Sequence, residues 1–185
     1  MRIIAGEWRG RPVRAPEGDT TRPTADRTRE TLFSMLASRL GSFEGLAVAD
    51  LFAGSGALGL EALSRGAASA MFVEQDAAAV RAIRANIAAL RCAPQCDVRA
   101  SSVLTLGPTK KPLDLVMLDP PYGTGAGVVA IEKLARLGYI GEATWISLET
   151  GLKEVPDVRI CEIDADRKVG KALITLMRLK AKPAA

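Results

Sequence analysis

The 185-residue sequence predicts an α/β fold with one mostly parallel sheet that is covered by helices on both faces. Short, continuous apolar runs alternate with segments whose apolar residues recur at helical spacing, which is typical of βαβ units. The last two apolar runs are joined by a short polar turn and predict an antiparallel hairpin that closes the sheet. Because 48% of the residues are hydrophobic, the chain can build the core of one ordinary domain.

The N-terminal segment differs from the rest of the chain. Two short apolar pieces separated by glycines predict a small β-hairpin within residues 1–20. A turn-rich stretch with N-cap candidates, residues 20–26, precedes a helix that is predicted from about Asp26 to Leu40. We therefore expect a basic N-terminal extension over residues 1–20 and a larger domain over residues 21–185.

The remaining elements follow in alternation. The predicted strands are 46–52, 70–74, a short strand near 98–100, 113–118 and 144–149. The predicted helices are 57–65, 77–90 and 128–137. The final hairpin pairs strands 158–163 and 172–179 across a turn that contains Gly170.

The composition narrows the classes of function. The chain has no histidine, which removes the usual general base, imidazole-dependent triads and mixed zinc sites. Three cysteines are an odd number, so we expect neither disulfides nor a metal. Since the sequence has neither a signal peptide nor a long apolar span, the expected location is cytoplasmic, with no membrane partner.

Basic residues are concentrated at both ends of the chain. A net charge of +4 understates this clustering, because arginine accounts for every basic residue near the N-terminus. These clusters favour phosphate groups of a nucleic acid as partners, although solvated surface charge is the alternative interpretation. The N-terminal cluster comprises Arg2, Arg9, Arg11, Arg14, Arg22, Arg27 and Arg29.

A glycine-rich turn follows the first predicted strand of the sheet. Gly54, Gly56 and Gly59 match the G-x-G-x-x-G spacing, which suits either a nicotinamide dinucleotide or S-adenosylmethionine. Asp50 would repel a pyrophosphate but would attract a cofactor that carries an amino group and a sulfonium. Glu74, at the end of the next strand, can accept hydrogen bonds from ribose hydroxyls. A tight turn without a ligand is the alternative.

A second motif, Asp119-Pro-Pro-Tyr122, ends another predicted strand. The carboxylate of Asp119 and the carbonyl of Pro120 can accept both hydrogen bonds of a planar amino group and direct its nitrogen towards a methyl donor. Tyr122 can stack on an extruded base. The motif can also be a simple strand-terminating turn. Because both motifs should lie at the carboxyl edge of one sheet, they predict methyl transfer to nitrogen.

Segments 2–11, 21–33, 50–66 and 119–122 resemble the bacterial 16S ribosomal RNA guanine-N2 methyltransferase family, RsmD. The resemblance covers nearly the whole chain. It implies a Rossmann-like, seven-stranded methyltransferase domain, with S-adenosylmethionine as the donor and S-adenosylhomocysteine as the product. It also implies that the acceptor is N2 of one guanine in 16S rRNA, within the small ribosomal subunit or an assembly intermediate. The expected oligomeric state is a monomer.

The resemblance and the motifs together give three sets of candidate residues. The catalytic set is Asp119, Pro120, Pro121 and Tyr122. The cofactor-binding set is Asp50, Phe52, Ala53, Gly54, Gly56, Glu74, Gln75, Ser101, Ser102 and Asp119. The RNA-binding set is Arg9, Arg11, Arg14, Arg22, Thr24 and Arg29.

Two residues leave alternatives open. Ser101 stands where the family commonly has an aspartate or asparagine, so the contact to adenine is not settled. Trp8 can either stack on a base or anchor the N-terminal hairpin to the domain.

Other functions remain possible. An amino methyltransferase for adenine N6 or for protein glutamine would use a similar catalytic turn. An RNA-binding module could keep the fold without turnover, although the intact motif at 119–122 argues against it. A dinucleotide-dependent oxidoreductase is disfavoured by Asp50.

Overall fold

Strands and helices alternate along residues 1–19 and 23–184, which the computed structural model describes. The helices are α1 (Pro23–Leu40), α2 (Ala57–Ser64), α3 (Ala77–Leu90) and α4 (Ala126–Leu137). The strands are β1 (Ala47–Leu51), β2 (Ser69–Glu74), β3 (Cys96–Ala100), β4 (Leu115–Leu118), β5 (Trp145–Gly151), β6 (Cys161–Val169) and β7 (Ala172–Leu179).

These described strands form one sheet in the order β3-β2-β1-β4-β5-β7-β6. Strands β1 to β5 pair in parallel, whereas β7 is antiparallel to both of its neighbours. All four residues of β4 are buried, as expected for a central strand that is covered on both faces. The predicted fold class, a mostly parallel sheet with a C-terminal antiparallel hairpin, is confirmed.

Several predicted boundaries differ from the structure, most clearly in β6. The predicted strand 158–163 is wrong by several residues, since β6 extends from Cys161 to Val169. This strand lies at the edge of the sheet, and most of its residues are exposed and polar. An edge strand therefore does not show the apolar run from which the central strands were predicted.

Helix α1 begins at Pro23, three residues before the predicted start. Proline is favoured in the first turn of a helix because it has no N–H to leave unpaired. The predicted turn over residues 20–26 lies partly outside the described residues. None of the helices in the described chain is long and apolar enough to span a membrane.

The N-terminal segment folds back on itself but does not form two strands. Within residues 1–19, an isolated antiparallel bridge joins Arg2 and Pro12, and the N–H of Ile3 donates to the carbonyl of Arg11 at 2.9 Å. Pro12 lacks an N–H, which limits further pairing. Trp8 is 9% exposed and belongs to the hydrophobic core, so it anchors the segment.

Helix α2 holds this segment through a buried carboxylate. Glu61 is 0% exposed and accepts hydrogen bonds from the backbone N–H groups of Ile4 at 2.9 Å and Ala5 at 3.0 Å. Arg65 neutralises it at 3.0 Å. The approach is so close that a Cβ on Gly6 would lie 1.9 Å from the carbonyl oxygen of Ser64. The segment is therefore fixed on the domain surface.

Replacing this carboxylate should destabilise the protein. We expect Glu61→Ala to lower the free energy of unfolding by about 3–5 kcal/mol, because buried N–H groups and Arg65 lose their acceptor. Urea denaturation measures the change. The exposed β6 variant Glu162→Ala is the control and should change stability by less than about 0.5 kcal/mol. Equal urea midpoints for Glu61→Ala and Glu162→Ala would contradict this account.

Candidate active site

Four carboxylates meet at the carboxyl edge of the sheet, where β1, β2, β4 and β5 end. They are Asp50, Glu74, Asp119 and Glu149. Two cavities of about 590 and 950 Å³ adjoin here, and Phe52, Asp119, Tyr122 and Glu149 line both of them. In residues 1–19 and 23–184, no three metal-ligating side chains converge in a way that could hold a metal ion.

Asp50 carries a buried acceptor that lacks a protein donor. Its side chain is 1% exposed, and Oδ2 accepts a hydrogen bond from the N–H of Gly59 at 2.9 Å. Oδ1 has no hydrogen-bond partner among the described residues. Burial raises the pKa of Asp50 well above its ordinary value, and the negative charges of Asp119 and Glu74 add to this rise. Such an oxygen fits a ligand that carries N–H groups or positive charge.

The glycine-rich turn leaves space beside Asp50. A Cβ placed on Gly54 would meet no atom within 4 Å, so this glycine leaves the cavity wall open. Gly59 has a packing role instead, since its Cβ would lie 2.4 Å from the Phe72 ring. Helix α2 starts after Gly56 without a side-chain cap in the described structure. Backbone N–H groups at this terminus can therefore face a ligand.

Glu74 holds the glycine turn in place. Its Oε2 accepts from the N–H of Gly54 at 2.9 Å, and its Oε1 accepts from Gln75 at 2.8 Å and Asp76 at 2.9 Å. A carboxylate offers about four lone-pair directions, so a further acceptor position is available to a ligand hydroxyl. Glu74 and Gln75 line the 590 Å³ cavity together with Ser101 and Ser102. Most of the predicted cofactor residues thus lie on two sides of the crevice, and Ala53 and Gly54 line the second cavity. Gly56 lines neither cavity and precedes helix α2 instead.

The predicted catalytic turn forms the opposite wall. The N–H of Asp119 donates to the carbonyl of Leu51 at 3.3 Å, which joins the ends of β4 and β1. Pro120 is buried, whereas Pro121 is exposed and its carbonyl accepts from the Thr124 hydroxyl at 2.8 Å. The Tyr122 side chain is 47% exposed at the cavity mouth. The turn therefore presents a carboxylate and an aromatic ring to the same space.

Glu149 is a site residue that the sequence analysis missed. It follows Leu148, which pairs with Leu118 in the parallel sheet, so it lies beside Asp119. The hydroxyl of Tyr122 donates to Glu149 Oε1 at 2.5 Å. The sequence did contain a signal for this site residue, because Glu149 is an acidic residue at the end of the predicted strand 144–149.

These side chains perturb one another. Although the Asp119 side chain reaches solvent, it lies in the floor of the crevice. Desolvation and the charge of Glu149 raise the pKa of Asp119 to about 7. Burial also raises the pKa of Glu149. The pKa of Tyr122 is raised by burial and then by its hydrogen bond to Glu149. The crevice therefore disfavours further negative charge.

The predicted RNA-binding residues fall into two groups. Arg9, Arg11 and Arg14 are exposed, and Arg11 donates to the carbonyl of Ala89 at 2.7 Å. Arg29 instead is 5% exposed; its guanidinium donates to the carbonyl of Arg2 at 2.5 Å and pairs with Asp26 at 3.2 Å. Arg22 and the side chain of Thr24 lie outside the described residues.

Comparison with known proteins gives consistent results. Residues 1–178 match the family described as Conserved hypothetical protein 95. The chain is 39% identical over 160 residues to the ribosomal RNA small subunit methyltransferase D of Escherichia coli strain K12, covering 84% of this chain and 79% of that protein. The protein of the same name from Haemophilus influenzae is 38% identical over 154 residues, with 81% and 78% covered.

Solved structures resemble the whole fold. A putative methyltransferase from Escherichia coli superposes with a TM-score of 0.84 at 34% identity and covers 98% of this chain and 99% of its own. A putative methylase from Haemophilus influenzae gives a TM-score of 0.79 at 31% identity, with coverage of 96% and 97%. This chain therefore belongs to the Conserved hypothetical protein 95 family, the RsmD family that its sequence resembles.

Proposed function

We propose that this protein transfers a methyl group from S-adenosylmethionine to the exocyclic N2 of one guanine in 16S rRNA, within the small ribosomal subunit or an assembly intermediate. The observation that carries the proposal is that Asp50 and Asp119 line the same cavity. Asp50 has a buried oxygen without a hydrogen-bond partner among the described residues, and Asp119 begins the predicted catalytic turn. The names of the relatives support small-subunit ribosomal RNA as the substrate.

The residues around the glycine turn suit the proposed cofactor. When bound, S-adenosylmethionine supplies a methyl group that is activated by a positively charged sulfur. Asp50 Oδ1 would accept a hydrogen bond from its amino group, and Glu74 would accept from ribose hydroxyls. Phe52 and Ser101 line the 590 Å³ cavity, where we place the adenine.

The catalytic turn would hold the acceptor base. The Asp119 carboxylate and the Pro120 carbonyl would each accept one hydrogen bond from the amino group, which favours the pyramidal nitrogen that can attack a methyl group. The half-exposed ring of Tyr122 would stack on the base, worth about 1–3 kcal/mol per base. After transfer the nitrogen is strongly acidic. The nearby carboxylate of Asp119, whose pKa is raised to about 7, can take its proton.

The exposed N-terminal arginines would contact the RNA backbone. We assign phosphate contacts to Arg9, Arg11 and Arg14, and residues 1–20 would act as an RNA-contacting extension of the methyltransferase domain. Arg22 and Thr24 remain candidates on the grounds of the sequence. Arg29 is set apart, because a buried guanidinium that already pairs with protein atoms is not free to bind phosphate; it positions Arg2 and Asp26 instead.

The direct experiment supplies the purified protein and S-adenosylmethionine with small ribosomal subunits from cells that lack the activity. Nuclease digestion and mass spectrometry then identify and map methylated nucleosides. N2-methylguanosine is the expected product. N6-methyladenosine or methylated protein would support the rival acceptors, and binding to RNA without any methylation would support a non-enzymatic module.

Removing the carboxylate of the catalytic turn should stop catalysis without removing the cofactor. We expect Asp119→Ala to lower the rate of methyl transfer by about 100-fold or more, because the attacking amino group loses an acceptor. Asp119→Asn keeps one acceptor oxygen and should be less impaired. Single-turnover kinetics and calorimetric cofactor titration separate the two effects. If Asp119→Ala binds the cofactor far more weakly, the assigned role is incorrect.

Asp50 should act on cofactor affinity. We expect Asp50→Asn to weaken S-adenosylmethionine binding by about 10- to 100-fold, since a charge-assisted hydrogen bond contributes roughly 1.5–3 kcal/mol. Isothermal titration calorimetry gives the dissociation constant. The control is Asp97→Asn on the edge strand β3, where the side chain is 58% exposed. Unchanged affinity in Asp50→Asn would refute the assignment.

RNA binding should depend on salt through the N-terminal arginines. We expect the double variant Arg9→Ala, Arg14→Ala to reduce the slope of log affinity against log salt by about 1 for each phosphate that is no longer neutralised. Filter binding to small subunits at several salt concentrations measures the slope. The exposed Lys110 and Lys111 precede β4, at the opposite edge of the sheet, and their alanine variants serve as controls. Equal slopes for all proteins would exclude the proposed contacts.

A further inference from the structure

We propose that Glu149 selects guanine, by accepting the N1–H of the base while Asp119 and Pro120 hold its 2-amino group. This inference rests on the proposed function and deepens it, because it names the residue that distinguishes guanine from adenine.

The sheet places two carboxylates side by side at the acceptor position. Leu118 and Leu148 are partners in the parallel pairing of β4 and β5, so Asp119, which follows β4, and Glu149, which lies within β5, are at the same level of adjacent strands. Both line the 590 Å³ cavity and the 950 Å³ cavity. A base whose amino group meets Asp119 would therefore present the neighbouring atom of its edge to Glu149.

One oxygen of Glu149 is available to that atom. Oε1 accepts a hydrogen bond from the hydroxyl of Tyr122. Among residues 1–19 and 23–184, Tyr122 is the donor to Glu149, and no lysine or arginine pairs with it. Oε2 can accept a hydrogen bond from a ligand, and an ionised carboxylate can only accept.

The chemistry of the base edges then decides the specificity. Guanine presents two donors in a row, its N1–H and its 2-amino group. Adenine presents its amino group beside N1, which is an acceptor. A pair of carboxylates satisfies two donors, whereas the lone pair of an adenine N1 would face a carboxylate oxygen without a proton between them. The arrangement therefore favours guanine over adenine.

A modified base separates this role from a structural one. 2-Aminopurine keeps the 2-amino group but has an unprotonated N1. Small subunits are reconstituted with guanine or 2-aminopurine at the mapped target position, and rates of methyl transfer are measured with the wild-type protein and with Glu149→Gln. The glutamine can donate to an unprotonated N1. The wild-type protein and Glu149→Gln are each tested on guanine and on 2-aminopurine. The effect of the missing 6-oxo group therefore cancels when the two guanine preferences are compared.

We expect the wild-type protein to prefer guanine by about 10- to 100-fold, and Glu149→Gln to lose about 10-fold or more of that preference. Tyr122→Phe removes the hydrogen bond to Glu149 but keeps the carboxylate, so it should retain the wild-type preference. Cofactor titration checks that each variant is folded.

The outcomes are distinct. An unchanged preference in Glu149→Gln, with cofactor affinity within a few-fold of wild type, would overturn the inference and leave the proposed function standing. Loss of preference in Tyr122→Phe as well would show that Glu149 acts by holding Tyr122, and would also overturn it. Failure of the wild-type protein to methylate guanine would instead refute the proposed function itself.

Discussion

The accumulation of negative charge at the carboxyl edge of the sheet is the constraint on which the site depends. Asp50 is buried, with one oxygen unsatisfied among the described residues, and Asp119, which follows β4, lies beside Glu149 near the carboxyl end of β5. Burial raises the pKa values of all three carboxyl groups, and repulsion from neighbouring carboxylates adds to the rise for Asp50 and Asp119. Groups that carry positive charge or N–H donors relieve this cost. A methyl donor that carries positive charge meets this requirement, and so does an amino group that accepts the methyl, because it carries N–H donors.

The N-terminal segment is tied to the same site by a small number of buried polar contacts. Asn86 accepts from the N–H of Arg14 and donates to the carbonyls of Arg14 and Ser55, each at 2.9 Å. One side chain thus joins the arginine-bearing segment to the glycine turn. Glu61 fixes the beginning of that segment on α2. The surface proposed for RNA and the pocket proposed for the cofactor therefore share one rigid support.

Much of the fold and part of the site could be predicted because buried parallel strands and glycine turns leave local patterns. Asp50 and Asp119 each end such a strand. Glu149 was missed because its importance comes from strand order, which places β5 beside β4 and which no local pattern encodes. Arg29 shows the same limit, since it is 5% exposed and contacts Arg2 and Glu61, which are distant from it in the sequence. The edge strand β6 was misplaced because its exposed residues carry no apolar run.

The central claim is that cationic groups of the cofactor compensate the carboxylates of the crevice. Calorimetric titration of the full chain with S-adenosylmethionine near pH 7, in two buffers of different ionisation enthalpy, measures the protons exchanged on binding. Asp119, whose pKa is about 7, is half protonated at this pH, and a bound cation lowers that pKa, so the account predicts release of up to about 0.5 proton, and less with S-adenosylhomocysteine. Proton uptake, or no exchange with either ligand, would contradict it.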